Sequence, residues 1–182
     1  MMKIHRIVIT GGPCDNKTKI FDKIKEKLSE MGCKVFVVSE SYSEMCIGGI
    51  EAQKYTNMDF QSMIFKYQMA KENVYNTAAS KHSSQNVVIL FDRGLFDPIA
   101  CMAPEVASFM ISLLGYSVEE LLSRYEAVIH VRSNNKVMDD SLLRVWSTHP
   151  NLRTVGNESD IEKKTNKIIQ EICEILGTII SD

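Results

Sequence analysis

Short, wholly apolar runs alternate along this chain with stretches of helical period. Ile4-His5-Arg6-Ile7-Val8-Ile9 is β-branched and breaks at Thr10-Gly11-Gly12-Pro13, which predicts a buried strand running into a loop. From Thr18 the period changes. Ile20, Phe21, Ile24, Leu28 and Met31 share one helical face, lysines and acids take the other, and Gly32 ends the helix. Val35-Phe36-Val37-Val38 reads as a second strand, so the three elements form a β-α-β unit with a right-handed crossover and parallel strands.

Ser41 to Thr56 has no clear period and predicts a loop or a broken helix. Asn57 is a candidate N-cap for a long helix reaching about Ala79, with Phe60, Met63, Ile64, Tyr67 and Val74 on its apolar face. Val87 to Phe91 is the most apolar run and ends at Asp92-Arg93-Gly94. Pro104 and Glu105 open another helix that stops near Gly115, and Ser117-Val118-Glu119-Glu120 is a capping box. Ala127 to Val131 is a fourth strand, followed by a short helix with Leu142, Leu143 and Trp146. A fifth strand spans Leu152 to Val155, and a last helix carries Ile161, Ile168, Ile172, Leu176 and Ile179. This alternation predicts a three-layer α/β/α domain over residues 1–182, with a roughly five-stranded parallel sheet covered on both faces. Ligands of such sheets sit at the carboxyl ends of the strands, so the residues just after each strand carry the functional weight.

Composition narrows the classes without choosing among them. With 45% hydrophobic and 24% charged residues the chain matches an ordinary globular protein, and a net charge of -2 supplies no basic field for nucleic acid. Its cysteines, Cys14, Cys33, Cys46, Cys101 and Cys173, are scattered with no zinc-like spacing, which points to a reducing compartment and no structural metal. No run is long enough for a signal peptide or a membrane span, so a cytoplasmic address is expected.

Chemistry concentrates after the first strand. Gly11-Gly12-Pro13-Cys14-Asp15-Asn16-Lys17-Thr18 is one substitution from the phosphate-loop pattern Gly-x-x-x-x-Gly-Lys-[Ser/Thr], and it lies between a strand and a helix. Backbone N–H groups and the helix dipole can surround phosphate oxygens there, while Lys17 neutralises the outer phosphates and Thr18 offers a hydroxyl to Mg²⁺. The departure is Asn16: if that position needs a left-handed backbone, Asn is among the least costly replacements for Gly, but if it needs close approach to phosphate the side chain obstructs it, and Asp15 adds an anion near a site meant for anions. The plainer alternative is a Gly-Pro turn before a helix that happens to begin Lys-Thr, but a lysine opposing the dipole makes sense only with an anion to compensate.

Asp92, at the end of an apolar strand, can hold Mg²⁺ or accept the proton of an attacking hydroxyl, or it can simply cap or pair with Arg93. Glu40, just after the second strand, is either a ligand for substrate hydroxyls or an exposed loop acid. His130 reads as a hydrogen-bonded core histidine, Trp146 to Pro150 as packing at the sheet edge, and the methionines as core filling.

Nearly the whole chain resembles the P-loop ATPases related to the ribosylnicotinamide kinase domain of the bacterial NAD-biosynthesis regulator. The likeness starts in Arg6-Ile7-Val8-Ile9-Thr10-Gly11-Gly12-Pro13-Cys14 and continues through Val37-Val38-Ser39-Glu40, Phe60-Gln61, Gln68 and Glu72. It returns in Asp92-Arg93-Gly94-Leu95-Phe96-Asp97, in Arg124 to His130, and in Trp146 to Arg153. The resemblance implies a nucleoside- or nucleotide-kinase-like fold with strand order 2-3-1-4-5 and ATP or GTP with Mg²⁺ as ligand. It also implies that Asp92 and Arg93 face the phosphates or a small hydroxyl acceptor, and that Asn157, in the Gly156-Asn157 turn, lies where related folds contact the base. The segment between His130 and Trp146 is short for a lid and holds only Arg132 and Arg144. Two functions therefore stay open: a small-molecule kinase or ATPase, and a non-catalytic module that binds a nucleotide or a phosphate headgroup through a degenerate loop.

Overall fold

The computed structural model describes residues 3–12, 17–82 and 86–177. Five parallel strands, β1 (Ile4–Gly11), β2 (Lys34–Val38), β3 (Val87–Asp92), β4 (Ala127–Val131) and β5 (Leu152–Val155), pair in the order β2-β3-β1-β4-β5. The strands that flank β1 are the non-adjacent β3 and β4, so the carboxyl end of β1 is a point where the chain leaves to both sides. Such a switch point opens a crevice for ligands.

Successive strand residues face opposite layers. Ile7, Ile9, Val88, Leu90 and Ile129 pack under α1 (Lys17–Glu30) and α7 (Ile161–Leu176). Val8, Ile89, Phe91 and Val128 pack under α3 (Asn57–Ala79), α4 (Pro104–Leu113), α5 (Val118–Leu122) and α6 (Lys136–Trp146). Both faces being covered is why the strands read as continuous apolar runs. Between β2 and α3 the chain forms α2 (Ser41–Ile47) and a 3-10 turn (Ala52–Lys54), the broken-helix alternative for this stretch.

Several local expectations need correction. The cap of α3 is Thr56, whose hydroxyl accepts from the Asp59 amide, with Asn57 as the first helical residue. Tyr67 and Val74 point away from the sheet, while Gln68 and Glu72 are buried, so the face of α3 beyond Ile64 is not the one its apolar residues suggest. Trp146 is not an edge residue. It is fully buried against Phe96, Tyr125 and His149, and a Cβ on Gly94 would come within 2.8 Å of its ring. Ile179 lies outside the described residues. Among the described residues no helix is long and apolar enough to cross a membrane, and Cys33, Cys46, Cys101 and Cys173 are free thiols.

His130 is fully buried, as expected of a core residue, but neither ring nitrogen has a hydrogen-bond partner, and Nε2 stands 3.6 Å from Asp139 Oδ1. Burial pushes its pKa below the ordinary histidine value against the pull of Asp139, and burial likewise lowers His149, which the Tyr125 carbonyl contacts. Because the folded state resists protonating both rings, the unfolded chain takes up protons first as pH falls through about 6.5. Stability is expected to decline there on acidification. Glu72 and Asp92, raised chiefly by burial, act in the opposite sense. Urea midpoints between pH 8 and pH 5 isolate the histidine part: the acid-side loss should shrink in His130→Phe, and an unchanged slope would contradict it.

Candidate functional site

The ends of β1, β3 and β2, side by side in the sheet, converge on Lys17, the first residue of α1. Its ammonium lies 2.6 Å from Asp92 Oδ1 at the end of β3 and 3.5 Å from Glu40 Oε1 just after β2. Arg93 completes the cluster. Its guanidinium reaches Glu40 Oε1 at 3.2 Å and Asp97 Oδ1 at 3.4 Å, and donates to the carbonyls of Gly11 and Gly12. Thus Lys17, Glu40, Asp92 and Arg93, which come from two strand ends and a helix start, stand together as two cations between carboxylates.

Burial pushes Asp92 above the ordinary aspartate range, an effect that Lys17 and Arg93 only partly oppose. Glu40 is also pushed up by burial, but Lys17, the Ser43 hydroxyl and Arg93 outweigh it and hold the carboxyl below its ordinary value. The two acids therefore divide into a firmly ionised one and one readier to take a proton.

Arg93 adopts a left-handed backbone, φ 77°, a conformation costing a non-glycine residue roughly 1 kcal/mol or more. Its surroundings hold it there. Its amide donates to the Ile9 carbonyl (3.2 Å), and its carbonyl accepts from Gln68 Nε2 (3.1 Å). Gln68 is tied in turn to the Ser41 hydroxyl (2.6 Å) and to Glu72 Oε1 (3.1 Å). Glu72 is fully buried, accepts from the Tyr125 hydroxyl at 2.8 Å and meets Arg124 Nε at 3.2 Å.

Asp97 is the second organiser. It accepts from the Thr10 hydroxyl, the Gly94 amide (2.9 Å) and Trp146 Nε1 (3.2 Å) besides meeting Arg93, which joins β1, β3 and α6 behind the site. Asp139 does the same for the β4–α6 turn, accepting from Ser133 N (2.8 Å) and Ser133 Oγ (3.0 Å). Residue-by-residue reading of the chain singles out neither Asp97 nor the Gln68–Glu72 pair, although both fall in the stretches that carry the family resemblance. The available signal was polarity in an apolar register: Phe60, Ile64, Gln68 and Glu72 recur every four residues on one buried helix face.

Two cavities meet at Lys17. One of about 890 Å³ runs from Gly11 and Gly12 past Phe21, Asn135 and Asn157 to Ile168, between α1, α7 and the turns after β4 and β5. The other, about 560 Å³, lies between α2, α3 and the end of β3, with Glu40, Gln61, Gln68, Arg93 and Asp97 in its wall. Asn157 lines the first and donates to Asn134 Oδ1 at 2.6 Å. A Cβ on Gly11 would overlap the Val131 carbonyl and one on Gly12 the Ser133 hydroxyl, so the floor of the first cavity admits only glycine at these positions. Thr18 is exposed at the start of α1, and Pro13, Cys14, Asp15 and Asn16 lie outside the described residues.

A family model described as an AAA domain matches residues 6–154. The chain belongs to this AAA domain family of P-loop NTPases. No curated protein matches it. Among solved structures, this AAA domain is similar to thymidylate kinase from Ehrlichia chaffeensis at 12% identity and TM-score 0.61, over 93% of this chain and 99% of that one. It is also similar to thymidylate kinase from Candida albicans at 13% identity and TM-score 0.58, over 99% and 96% of the two chains. At such identities the likeness concerns the fold of the AAA domain, and function has to be argued from its site.

Among the described residues no three His, Cys, Asp or Glu side chains are grouped to hold a metal. The oxygens present suit Mg²⁺ instead, which keeps most of its waters and takes one or two protein oxygens plus phosphate. Asp92 Oδ1 is sealed from solvent and lacks a well-directed hydrogen bond, its charge being met by the Lys17 ammonium. Thr18, exposed at the start of α1, lines neither of the two cavities.

Proposed function

We propose that residues 1–182 act as a single P-loop unit that binds ATP or GTP with Mg²⁺ in the larger cavity and a small hydroxyl-bearing acceptor in the smaller one. The observation that carries this reading is the position of Lys17, whose side chain forms part of the wall of both cavities. A transferable phosphoryl group held by that ammonium would lie between donor and acceptor.

Each residue then has a role. Lys17 leaves its carboxylate partners for the phosphates, Thr18 and Asp92 hold Mg²⁺, which offsets phosphate charge, and Asn157 contacts the base. Gly11 and Gly12, with Pro13, Cys14, Asp15 and Asn16, wrap the phosphates. Glu40 and Arg93 orient the acceptor. Its hydroxyl oxygen bonds to the γ-phosphorus, the bond to the β,γ-bridging oxygen breaks, the nucleoside diphosphate leaves, and the hydroxyl proton passes to Asp92. Burial raises the proton affinity of Asp92 in the unliganded site, and that affinity serves proton uptake only where Asp92 holds Mg²⁺ through water and not directly. The sequence resemblance to ribosylnicotinamide kinase domains points the same way.

One observation favours the non-catalytic alternative. Arg144, one of two arginines in the β4–α6 segment, is directed at the carbonyls of Ala100 and Met102, 3.4 and 3.5 Å away, and so braces α6 rather than the phosphate cavity. Arg132 alone of the two lines that cavity. Transition-state charge is then met by few cations. Release of ADP or GDP over a panel of nucleoside acceptors decides: turnover that needs acceptor supports the kinase, and tight binding without turnover supports the module.

Asn16→Gly is expected to tighten Mg²⁺-triphosphate binding roughly 5- to 10-fold, in line with an effect of about 1 kcal/mol from the loop backbone. Calorimetry on both forms checks it. A variant no tighter than the parent would show that Asn16 is accommodated.

A further inference from the structure

One helix, α6, belongs to the walls of both cavities. Lys136 and Val137 line the larger one, and Met138 and Leu142 the smaller. The far end of α6 is fastened to the interior, where Trp146 is fully buried and donates to Asp97. Its first turn is held differently. Among the described residues, the hydrogen bonds of that turn run back only to the residues just before it: Asp139 Oδ2 accepts from the Ser133 amide (2.8 Å), Asp139 Oδ1 from the Ser133 hydroxyl (3.0 Å), and Asn135 Oδ1 from the Met138 amide (3.1 Å).

Beneath this turn lies a partner that the fold has not used. His130 on β4 is fully buried, in register with Thr10 of β1 and Thr154 of β5, and neither of its ring nitrogens is hydrogen-bonded. Its Nε2 stands 3.6 Å from Asp139 Oδ1, the same oxygen that the Ser133 hydroxyl engages. The other charges around the ring are Asp97 and Arg93 from the segment after β3 and Arg132 on its own strand. A buried ring without a partner forfeits the hydrogen bonds that water gives it in the unfolded chain, so a bond within reach is favoured. Closing 3.6 Å to the usual N–H···O distance of about 2.9 Å takes a movement of only about 0.7 Å.

We propose that His130 is a latch for α6: when the nucleotide cavity fills, its Nε2–H donates to Asp139 Oδ1 and holds the first turn of the helix against β4. In that exchange Oδ1 passes from the Ser133 hydroxyl to the ring, while Oδ2 keeps the Ser133 amide. The Ser133 hydroxyl lies where a Cβ on Gly12 would fall, so the exchange is felt at the start of the phosphate loop. Met138 and Leu142 carry it to the wall of the acceptor cavity. Burial disfavours the charged ring, so the latch is a neutral N–H bonded to a carboxylate. His130 is thus a positioning residue that acts through Asp139. The exchange is a property of the fold, and its being driven by a nucleotide rests on the proposed function.

Ser133→Ala removes the hydroxyl that competes for Oδ1, so in the empty protein Asp139 should seat on His130. Followed by imidazole nitrogen NMR, with His130→Gln assigning the signal, the His130 titration midpoint should then rise by about one pH unit, as a nearer carboxylate requires. In the parent, saturating ATP or GTP with Mg²⁺ should move the Nε2–H signal downfield and slow its exchange with water. His130→Phe should weaken triphosphate binding about fivefold, the value of one hydrogen bond, while His130→Gln, whose amide can donate to the same oxygen, should stay within about twofold of the parent. A midpoint that does not move in Ser133→Ala overturns the latch whether or not a nucleotide binds. So does a His130 signal indifferent to bound triphosphate. If neither triphosphate binds, the proposed function falls and the Ser133→Ala titration alone decides the latch.

Discussion

Lys17→Ala is expected to weaken triphosphate binding by roughly 100-fold or more while changing nucleoside binding little, since a charge-assisted hydrogen bond to phosphate contributes up to about 3 kcal/mol. The effect is compounded electrostatically. In the parent the ammonium separates Asp92 and Glu40 from an incoming anion, at 2.6 and 3.5 Å; without it both carboxylates face the phosphates directly. The variant also leaves Asp92 buried without its counter-charge, which raises its proton affinity further and destabilises the fold. A double variant, Lys17→Ala with Asp92→Asn, separates the two consequences: it should recover melting temperature but not triphosphate affinity. Calorimetric titration with ATP, GTP and the matching nucleosides reads both. Equal losses for triphosphate and nucleoside would place Lys17 outside the phosphate site and remove the central support for the proposed function.

The largest effect on stability is expected at Asp97. This carboxylate accepts from Thr10, Gly94 and Trp146 and stands 3.4 Å from the Arg93 guanidinium, all in the interior behind the site. Asp97→Ala strands three donors, each costing roughly 1–3 kcal/mol when buried without a partner, and removes one of the two acids that balance Arg93. A net loss of about 3 kcal/mol or more follows, equivalent to roughly 6–12 °C in melting temperature for a chain of this size. Asp97→Asn keeps the shape and one acceptor but turns an amide NH₂ toward existing donors, so it should fall between. Urea unfolding checks the order. An alanine variant within about 1 kcal/mol of the parent, the range of ordinary substitutions, would mean that water or rearrangement satisfies these groups and that Asp97 does not organise the site.

These two residues differ in how they could be found. Lys17 belongs to a pattern whose signal is local: a glycine turn, a helix start and a lysine within eight residues raise the expectation of an anion site before any tertiary contact is considered. Asp97 lies five residues after the end of β3, in a stretch with no periodicity, and its partners come from β1, β3 and α6. The same contrast holds within α3. Its length was legible because it depends on neighbours in sequence, although its cap is Thr56 and not Asn57, whereas its buried face was misread from Tyr67 and Val74. Apolar side chains occur on both faces, and Gln68 and Glu72 could turn inward only because Ser41, Tyr125 and Arg124 supply partners there. His130 is the reverse case: its burial follows from an apolar strand, yet no neighbour completes its hydrogen bonds.

By itself the sequence determined the alternation of strands and helices and the parallel sheet covered on both faces. Each of these rests on local period, chain stiffness and capping, which act over fewer than about twenty residues. Only the tertiary structure decided that Lys17 is shared by Asp92 and Glu40, that Arg93 is held in a left-handed backbone by Gln68 and Ile9, and that Asp97 ties three elements together. Those facts depend on groups far apart in sequence meeting within hydrogen-bonding distance, as Arg93 and Gly11 do across 82 positions. Burial also decides which carboxylate keeps its charge, because the desolvation of Asp92 and the pairing of Glu40 exist only once the sheet has brought the ends of β1, β2 and β3 side by side.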